Sequence, residues 1–319
     1  MEAALSDGRA AIKAIADNPE APTFANTIEA LEKADATLSK VLGTFYGMAG
    51  ADTNDTRDAL MREFSPMLSA YSSEITANAA LFQRIETLWQ ERENLDLTDE
   101  QQRVLMLTRR SFVRSGAKLE GVDKDRMAEI KSRLATLGTQ FSQNLLADER
   151  EWFMELSEDD LEGLPQFVVD AARSAGEEKG AKGPVVTLSR SLITPFLQFS
   201  PRRDLREKAF RAWAARGENG NANDNREIAR EILELREERA RLLGYENFAA
   251  YKLETEMAKT PEHVRDLLMR VWAPAKEAAE RDAAILSKMM AEDGVNGDLA
   301  PWDWRYYSEK RRKAEHDLD

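Results

Sequence analysis

The side chains best suited to metal binding or catalysis in this chain are its two histidines, His263 and His316. Zinc hydrolases commonly bind their metal through two histidines one helical turn apart, in a H-E-x-x-H sequence, so that both rings reach one ion. His263 lies in "PEHVRD" and His316 in "EHDLD", and neither begins that motif. We expect His263 to be exposed in the first turn of a helix and His316 to belong to a charged tail, so the sequence predicts no metal site.

Other catalytic patterns are equally weak. The chain has no cysteine, which excludes thiolate nucleophiles, disulfides and cysteine-based metal sites. It contains neither a G-x-S-x-G elbow nor a G-x-x-x-x-G-K-[ST] phosphate loop. The acidic "SEDD" at 157–160 is typical of a solvated turn, and the Asn-rich "GENGNANDN" at 217–225 is typical of a turn before a helix N-cap. The sequence therefore predicts no catalytic residue.

Aromatic side chains are concentrated near the end of the chain, in "LAPWDWRYYSEKRRKAEHDLD". Trp302, Trp304, Tyr306 and Tyr307 bury large areas when they pack, so we interpret them as helix-packing core. The alternative is a stacking surface for a substrate. The basic run at 310–313 is flanked by Glu309 and Glu315, which indicates a solvated helix face and not a nucleic-acid patch.

Composition limits the functional classes. The chain has 319 residues, 42% of them hydrophobic, which is enough for a sizeable core. Its formal charge of −13 argues against partners rich in phosphate, including nucleic acids and anionic membranes. No apolar run approaches the roughly 20 residues that a membrane-spanning helix needs, and the N-terminus predicts an amphipathic helix and no signal peptide. We expect a cytoplasmic protein.

Helical periodicity dominates the elements that would position any site. Within "DKDRMAEIKSRLATLGTQFSQNLLA" the apolar residues recur at helical spacing, forming one stripe: Met127, Ile130, Leu134, Leu137, Phe141 and Leu145. Thr98 with Gln101 predicts a capping box, and Thr260 before Pro261 predicts a helix start. We expect another helix to open at Asp224 with Glu227 and to end at Gly244, and bends at Pro66 and Pro274.

One stretch near the middle has a different pattern. Alternation predicts short strands at two places, carried by Trp152, Met154, Val185, Thr187, Phe196 and Gln198. Between them, "GEEKGAKG" at 176–183 predicts a mobile surface loop. The expected fold is mainly α, a bundle-like lobe with a small β element near residues 151–199. We expect three regions: helical 1–150, the β and loop element 151–200, and helical 201–319.

Several segments, in order along nearly the whole chain, resemble the N-terminal half of bacterial peptidyl-dipeptidases of the thimet oligopeptidase family of zinc metallopeptidases. They include "NPEAPTFANTIEALEKA", "GAKLEGVDKDRMAEI" and "TQFSQNLL". The blocks "LLGYENFAAYK", "MAKTPE" and "PWDWRYYSEK" make the resemblance specific.

The resemblance implies two helical lobes with a channel that admits short peptides, and zinc on a H-E-x-x-H helix beyond the position of Asp319. The family sequence also extends before Met1, so we expect this chain to lack both ends. No family catalytic or metal residue matches a position here. We therefore expect zinc only in the full-length protein and no activity from this chain alone.

Two functions remain open at this point. The chain is either the channel-wall part of a zinc peptidyl-dipeptidase, with a missing C-terminal catalytic half as partner, or a free-standing helical module that binds peptides or a protein. The first interpretation predicts exposed apolar surface, or self-association that hides it.

Overall fold

A computed structural model describes residues 1–51 and 54–316, so the last three residues of the predicted third region lie outside it. Contacts divide the chain into two compact units: the first comprises residues 1–128 with 242–244, and the second comprises residues 129–241 and those from 245 onward. The three regions predicted from sequence stay a prediction. The mainly α fold with one small sheet is confirmed.

Helices build the first unit around a hydrophobic core. They are α1 (Glu2–Ala16), a π-helical turn (Phe24–Glu29) leading into α2 (Ala30–Ala34), α3 (Ala36–Ala51), α4 (Asp55–Ala77), α5 (Ala79–Glu91) and α6 (Asp99–Arg114). The amphipathic N-terminal helix is confirmed, because α1 buries Ile12 and Ile15 against Leu81 and Ile85 of α5. Helix α4 runs through Pro66 without becoming a loop.

The second unit combines long helices with the sheet. Its elements follow α7 (Gly121–Glu151), which begins in the first unit: β1 (Phe153–Glu155), a 3₁₀ turn (Glu158–Leu161), α8 (Gln166–Lys179), β2 (Val185–Thr187), α9 (Arg190–Phe199), α10 (Arg203–Ala214), α11 (Arg226–Leu242), α12 (Phe248–Leu253), α13 (Pro261–Glu292) and α14 (Pro301–His316). β1 and β2 pair antiparallel, with Met154 opposite Val186. Their buried side chains pack against Phe196 of α9 and Ala209 of α10.

Local helix signals are mostly confirmed. In the capping box that begins α6, the Thr98 hydroxyl accepts from the Gln101 backbone N–H at 3.2 Å and the Gln101 side chain accepts from the Thr98 N–H at 3.0 Å. Thr260 caps α13, which starts at Pro261 and continues through Pro274. Helix α11 begins at Arg226, slightly later than predicted, because the Asp224 carboxylate caps the Arg226 N–H from the preceding turn.

Two predictions in the central stretch are wrong. Phe196 and Gln198 lie in helix α9 and not in a strand, since Ile193, Phe196 and Leu197 share one buried helical face against the sheet. Their alternation spans too few residues to outweigh that face.

The first half of the predicted mobile loop at 176–183 is instead the end of α8, which runs to Lys179. Gly180 closes this helix in the left-handed conformation, with φ 64°. A Cβ on Gly176 would lie 2.2 Å from the Gly183 carbonyl oxygen. These glycines therefore serve a helix end and a close backbone approach, and they do not indicate mobility.

Candidate functional site

Helix α14 carries the aromatic cluster and packs within the second unit against α9, α10 and α13. Pro301 begins it, as its fixed φ favours, and the Asp303 carboxylate accepts a hydrogen bond from the Ala300 N–H just before the helix. This places Asp303 in the first turn of the helix, where its negative charge interacts favourably with the positive end of the helix dipole. The local sequence thus directs an acidic side chain inward between aromatic residues.

Asp303 is the centre of a buried ion network. Arg203 of α10 donates to it through Nε and Nη2 at 2.8–3.1 Å, and Arg206 donates through Nη2 at 3.0 Å. Asp303 has no exposed side-chain surface and Arg206 only 1%. Arg206 also donates to the backbone carbonyl oxygens of Ser200 and Trp302, at 2.7 and 3.1 Å. One guanidinium therefore joins the end of α9, the body of α10 and the start of α14.

The electrostatics of this network favour the charged carboxylate. Burial alone would raise the pKa of Asp303, but hydrogen bonds from Arg203, the Ala300 N–H and Arg206 outweigh it and hold the pKa below its usual range. Because two arginines face one carboxylate, loss of that charge would leave buried positive charge uncompensated. The network stabilises structure, and it presents no proton donor or nucleophile for a reaction.

Trp302 and Tyr306 pack against the same arginines. The Arg211 guanidinium lies 4.7 Å and that of Arg203 5.9 Å from the centre of the Trp302 ring, and the Arg206 guanidinium lies 4.1 Å from that of Tyr306. Such cation–π contacts strengthen when they are partly desolvated. These two aromatic residues thus hold α14 on α10, which supports their interpretation as helix packing.

Tyr307 and Trp304 occupy different surroundings. Tyr307 is buried with Leu286 and Met290 of α13, and burial followed by the charge of Asp293 raises its pKa to about 12. Trp304 is 38% exposed and lines an open cavity of about 300 Å³ between α13 and α14. Among the four aromatic residues, the interpretation as packing core therefore fits Trp304 least well.

The basic run on α14 is paired with acidic groups. Arg311 donates to Asp282 of α13 at 2.8 Å, and Arg312 donates to the buried Glu309 at 2.6 Å. Glu309 also accepts from Gln198 of α9 at 2.8 Å. The Arg311–Asp282 ion pair connects α14 to α13, and the Gln198–Glu309 hydrogen bond connects it to α9. This face of α14 is therefore not fully solvated.

The two histidines lie on different helices. His263 is exposed in the first turn of α13, as predicted, with Nδ1 2.7 Å from the Ala258 carbonyl oxygen. His316 is the last residue of α14 and is exposed, 4.0 Å from Glu315. Within residues 1–51 and 54–316, no group of three or more His, Asp or Glu side chains is placed to hold a metal ion. The donor set described here therefore does not fit a catalytic zinc site.

The sequence patterns did not predict one buried carboxylate in the second unit. Asp148 of α7 accepts from the Gly217 N–H at 2.8 Å and from the side chains of Asn219, Asn221 and Asn223 at 2.9, 3.5 and 3.1 Å. Burial would raise its pKa, but these donors together lower it. The Asn-rich turn is therefore ordered around Asp148; the alternating asparagines were its only sequence signal.

The acidic turn at 157–160 is structural. The Asp160 carboxylate accepts from the Ser157 N–H at 2.9 Å and pairs with Arg202, while Glu158 and Asp159 are exposed.

No helix among the described residues has the length and apolar character needed to cross a membrane.

Comparisons with known proteins identify relatives. Residues 196–319 match the model described as Peptidase family M3. The chain is 34% identical to the dipeptidyl carboxypeptidase of Escherichia coli K12, over 99% of this chain and 46% of that protein. It is 36% identical to the dipeptidyl carboxypeptidase of Salmonella typhimurium, over 98% of this chain and 46% of that protein. Identity to the S. typhimurium oligopeptidase A is 30%, over 97% of this chain and 46% of that protein. The chain thus spans about half the length of these curated relatives.

Proposed function

We propose that this chain, which is similar to family M3 peptidases, forms the channel-wall part, in the N-terminal half, of a zinc metallopeptidase that removes C-terminal dipeptides from short peptides. The observation that carries this proposal is similarity along 99% of the chain to a protein named dipeptidyl carboxypeptidase. Identity is 34–36% to the two dipeptidyl carboxypeptidases and 30% to oligopeptidase A, which favours the release of C-terminal dipeptides as the specificity.

The contribution of this chain's own residues is positional. The Asp303 network and the cation–π contacts around it fix α14 on α9 and α10, within the residues that match the family model. Such a rigid helical platform can form one wall of a peptide-binding channel, since ordered walls reduce the entropy lost when substrate binds. Because the described side chains do not fit a zinc site, the metal and the activated water belong in this proposal to the other half. We propose that the chain alone is inactive and that it functions in the cytoplasm.

The test uses a joined protein, in which this chain replaces the matching part of the E. coli dipeptidyl carboxypeptidase. We expect the joined protein to release C-terminal dipeptides from a short peptide, detected by mass spectrometry, and a chelator to stop the release. The intact E. coli protein is the positive control. A joined protein that is folded by circular dichroism but does not cleave peptides would contradict the proposal.

The alternative is a free-standing helical module that binds peptides without cleaving them. It predicts that the chain alone binds short peptides in calorimetry and gains nothing from the other half. The exposed Trp304 beside an open cavity is the feature that favours this alternative.

A further inference from the structure

Helix α13 presents a long apolar face to solvent over its first two thirds. The residues of this face recur at helical spacing, and we call them the α13 stripe: Val264, Leu267, Leu268, Val271, Trp272 and Ala275. Leu267, Leu268 and Val271 are 56–60% exposed, and Trp272 is 63% exposed. A contiguous exposed apolar stripe, unlike scattered single residues, marks a packing surface.

The stripe continues a core that already exists. Two heptads beyond Trp272, on the same side of α13, Leu286 is buried with Met290 against Tyr307 of α14. One helix face is therefore covered at its C-terminal end and exposed from Leu267 to Ala275, while Val264 at its start is half-buried. The exposed part, residues 261–281, is about 30 Å long, which is enough to receive one or two further helices.

The charges around the stripe limit what can cover it. Residues 261–281 contain four acidic and four basic side chains and are neutral overall, whereas the chain carries −13. A second copy would bring two strongly negative molecules together, which opposes self-association. A different helical segment with an apolar face would not meet the repulsion that acts between two copies, because the surface around the stripe is neutral. This segment is either continuous with the chain or bound to it.

The relatives contain further chain beyond the part that this protein matches. The family match includes all of α13, and the chain covers only 46% of its dipeptidyl carboxypeptidase relatives, so more than half of each relative lies outside the matched part. We infer that the α13 stripe is the packing surface for an apolar helical face in the other half of a family M3 peptidase, with Trp272 as its central anchor. The inference rests on the proposed function, but it concerns packing and not catalysis.

The absence of cysteine from the sequence allows a direct test by thiol labelling. Leu268→Cys places a probe on the stripe, and Leu233→Cys on α11, where the leucine is 65% exposed against 60% for Leu268, is the matched control. Labelling by a maleimide is followed at the modified peptide by mass spectrometry, in the chain alone and in the joined protein. We expect position 268 to label at least about tenfold more slowly in the joined protein, because burial requires local opening before reaction. Position 233 should label at one rate in both.

A second substitution tests the anchor. Trp272→Asp, added to the Leu268→Cys probe in the joined protein, should restore labelling at position 268, whereas Leu233→Asp should not. Because residue 272 is largely exposed, Trp272→Asp should leave the helicity of the chain alone unchanged.

The possible outcomes separate the two claims. Equal labelling of position 268 in the chain alone and in the joined protein would overturn the inference, even if the joined protein cleaves peptides. Slow labelling in the chain alone that becomes faster on dilution would assign the stripe to a second copy and would also overturn it. Protection of position 268 in a joined protein without peptidase activity would support the inference while contradicting the proposed function.

Discussion

At the scale of single residues, Asp303 is the best-defined group in the second unit, because it is fully buried and bonded to two arginines. Asp303→Asn should lower the free energy of unfolding by about 3–5 kcal/mol, since Arg206 would remain buried without its counterion. The control is Asp298→Asn, which removes an exposed carboxylate and should change stability by less than about 0.5 kcal/mol. Urea unfolding of the three proteins measures the difference. Equal midpoints would show that the network contributes little.

The same carboxylate gives stability a defined pH dependence. The pKa of Asp303 is lower in the folded protein than its ordinary value, so its contribution is present above the unfolded pKa of about 3.9 and is lost as pH falls through the folded pKa. The stability deficit of Asp303→Asn relative to the parent chain should therefore be constant near neutral pH and should shrink in acid. A deficit that instead grew on acidification would contradict this assignment.

At the scale of elements, two glycines inside helices should respond oppositely to alanine. Gly176→Ala in α8 should destabilise by about 1–3 kcal/mol, because its Cβ would collide with the Gly183 carbonyl oxygen. Gly138→Ala in α7 is the matched change, since a Cβ there meets no atom within 4 Å, and it should stabilise by about 0.5–1 kcal/mol. Thermal unfolding followed by circular dichroism measures both. A stabilised Gly176→Ala would disprove the close approach.

The elements also show where sequence reasoning reaches its limit. Helix starts such as Thr98 and Thr260 could be predicted because a cap depends on residues a few positions away. Phe196 was misassigned because its conformation depends on a buried face packed against the sheet, which is a tertiary contact. Likewise, the Asp148 cluster joins α7 to a turn that is distant in sequence, and the alternating asparagines of that turn do not by themselves identify the carboxylate that they bind.

In the candidate site, too, features set by nearby residues could be predicted and features set by tertiary contacts could not. The aromatic helix and its packing role were predictable, since several large rings in one helix require buried partners. Its central carboxylate was not, because Asp303 resembles any other acidic residue until Arg203 and Arg206 are folded against it.

At the scale of the whole molecule, the charge of −13 predicts no binding to nucleic acid at physiological salt. Binding driven by counterion release requires a basic surface, and the basic run of α14 is engaged with Asp282 and Glu309. A gel-shift assay with duplex DNA and with single-stranded RNA should show no complex. Tight binding that weakens with salt would refute this expectation.

In the proposed function, this chain shapes a peptide channel while the chemistry belongs to another half. The most direct measurement is bound zinc, by elemental analysis, together with the release of C-terminal dipeptides, in the chain alone and in the joined protein. We predict less than stoichiometric zinc and background hydrolysis from the chain alone, because the described residues offer no set of three convergent ligands. The joined protein should contain about one zinc per chain and show chelator-sensitive release. Stoichiometric zinc with chelator-sensitive dipeptide release by this chain alone would contradict the proposed function.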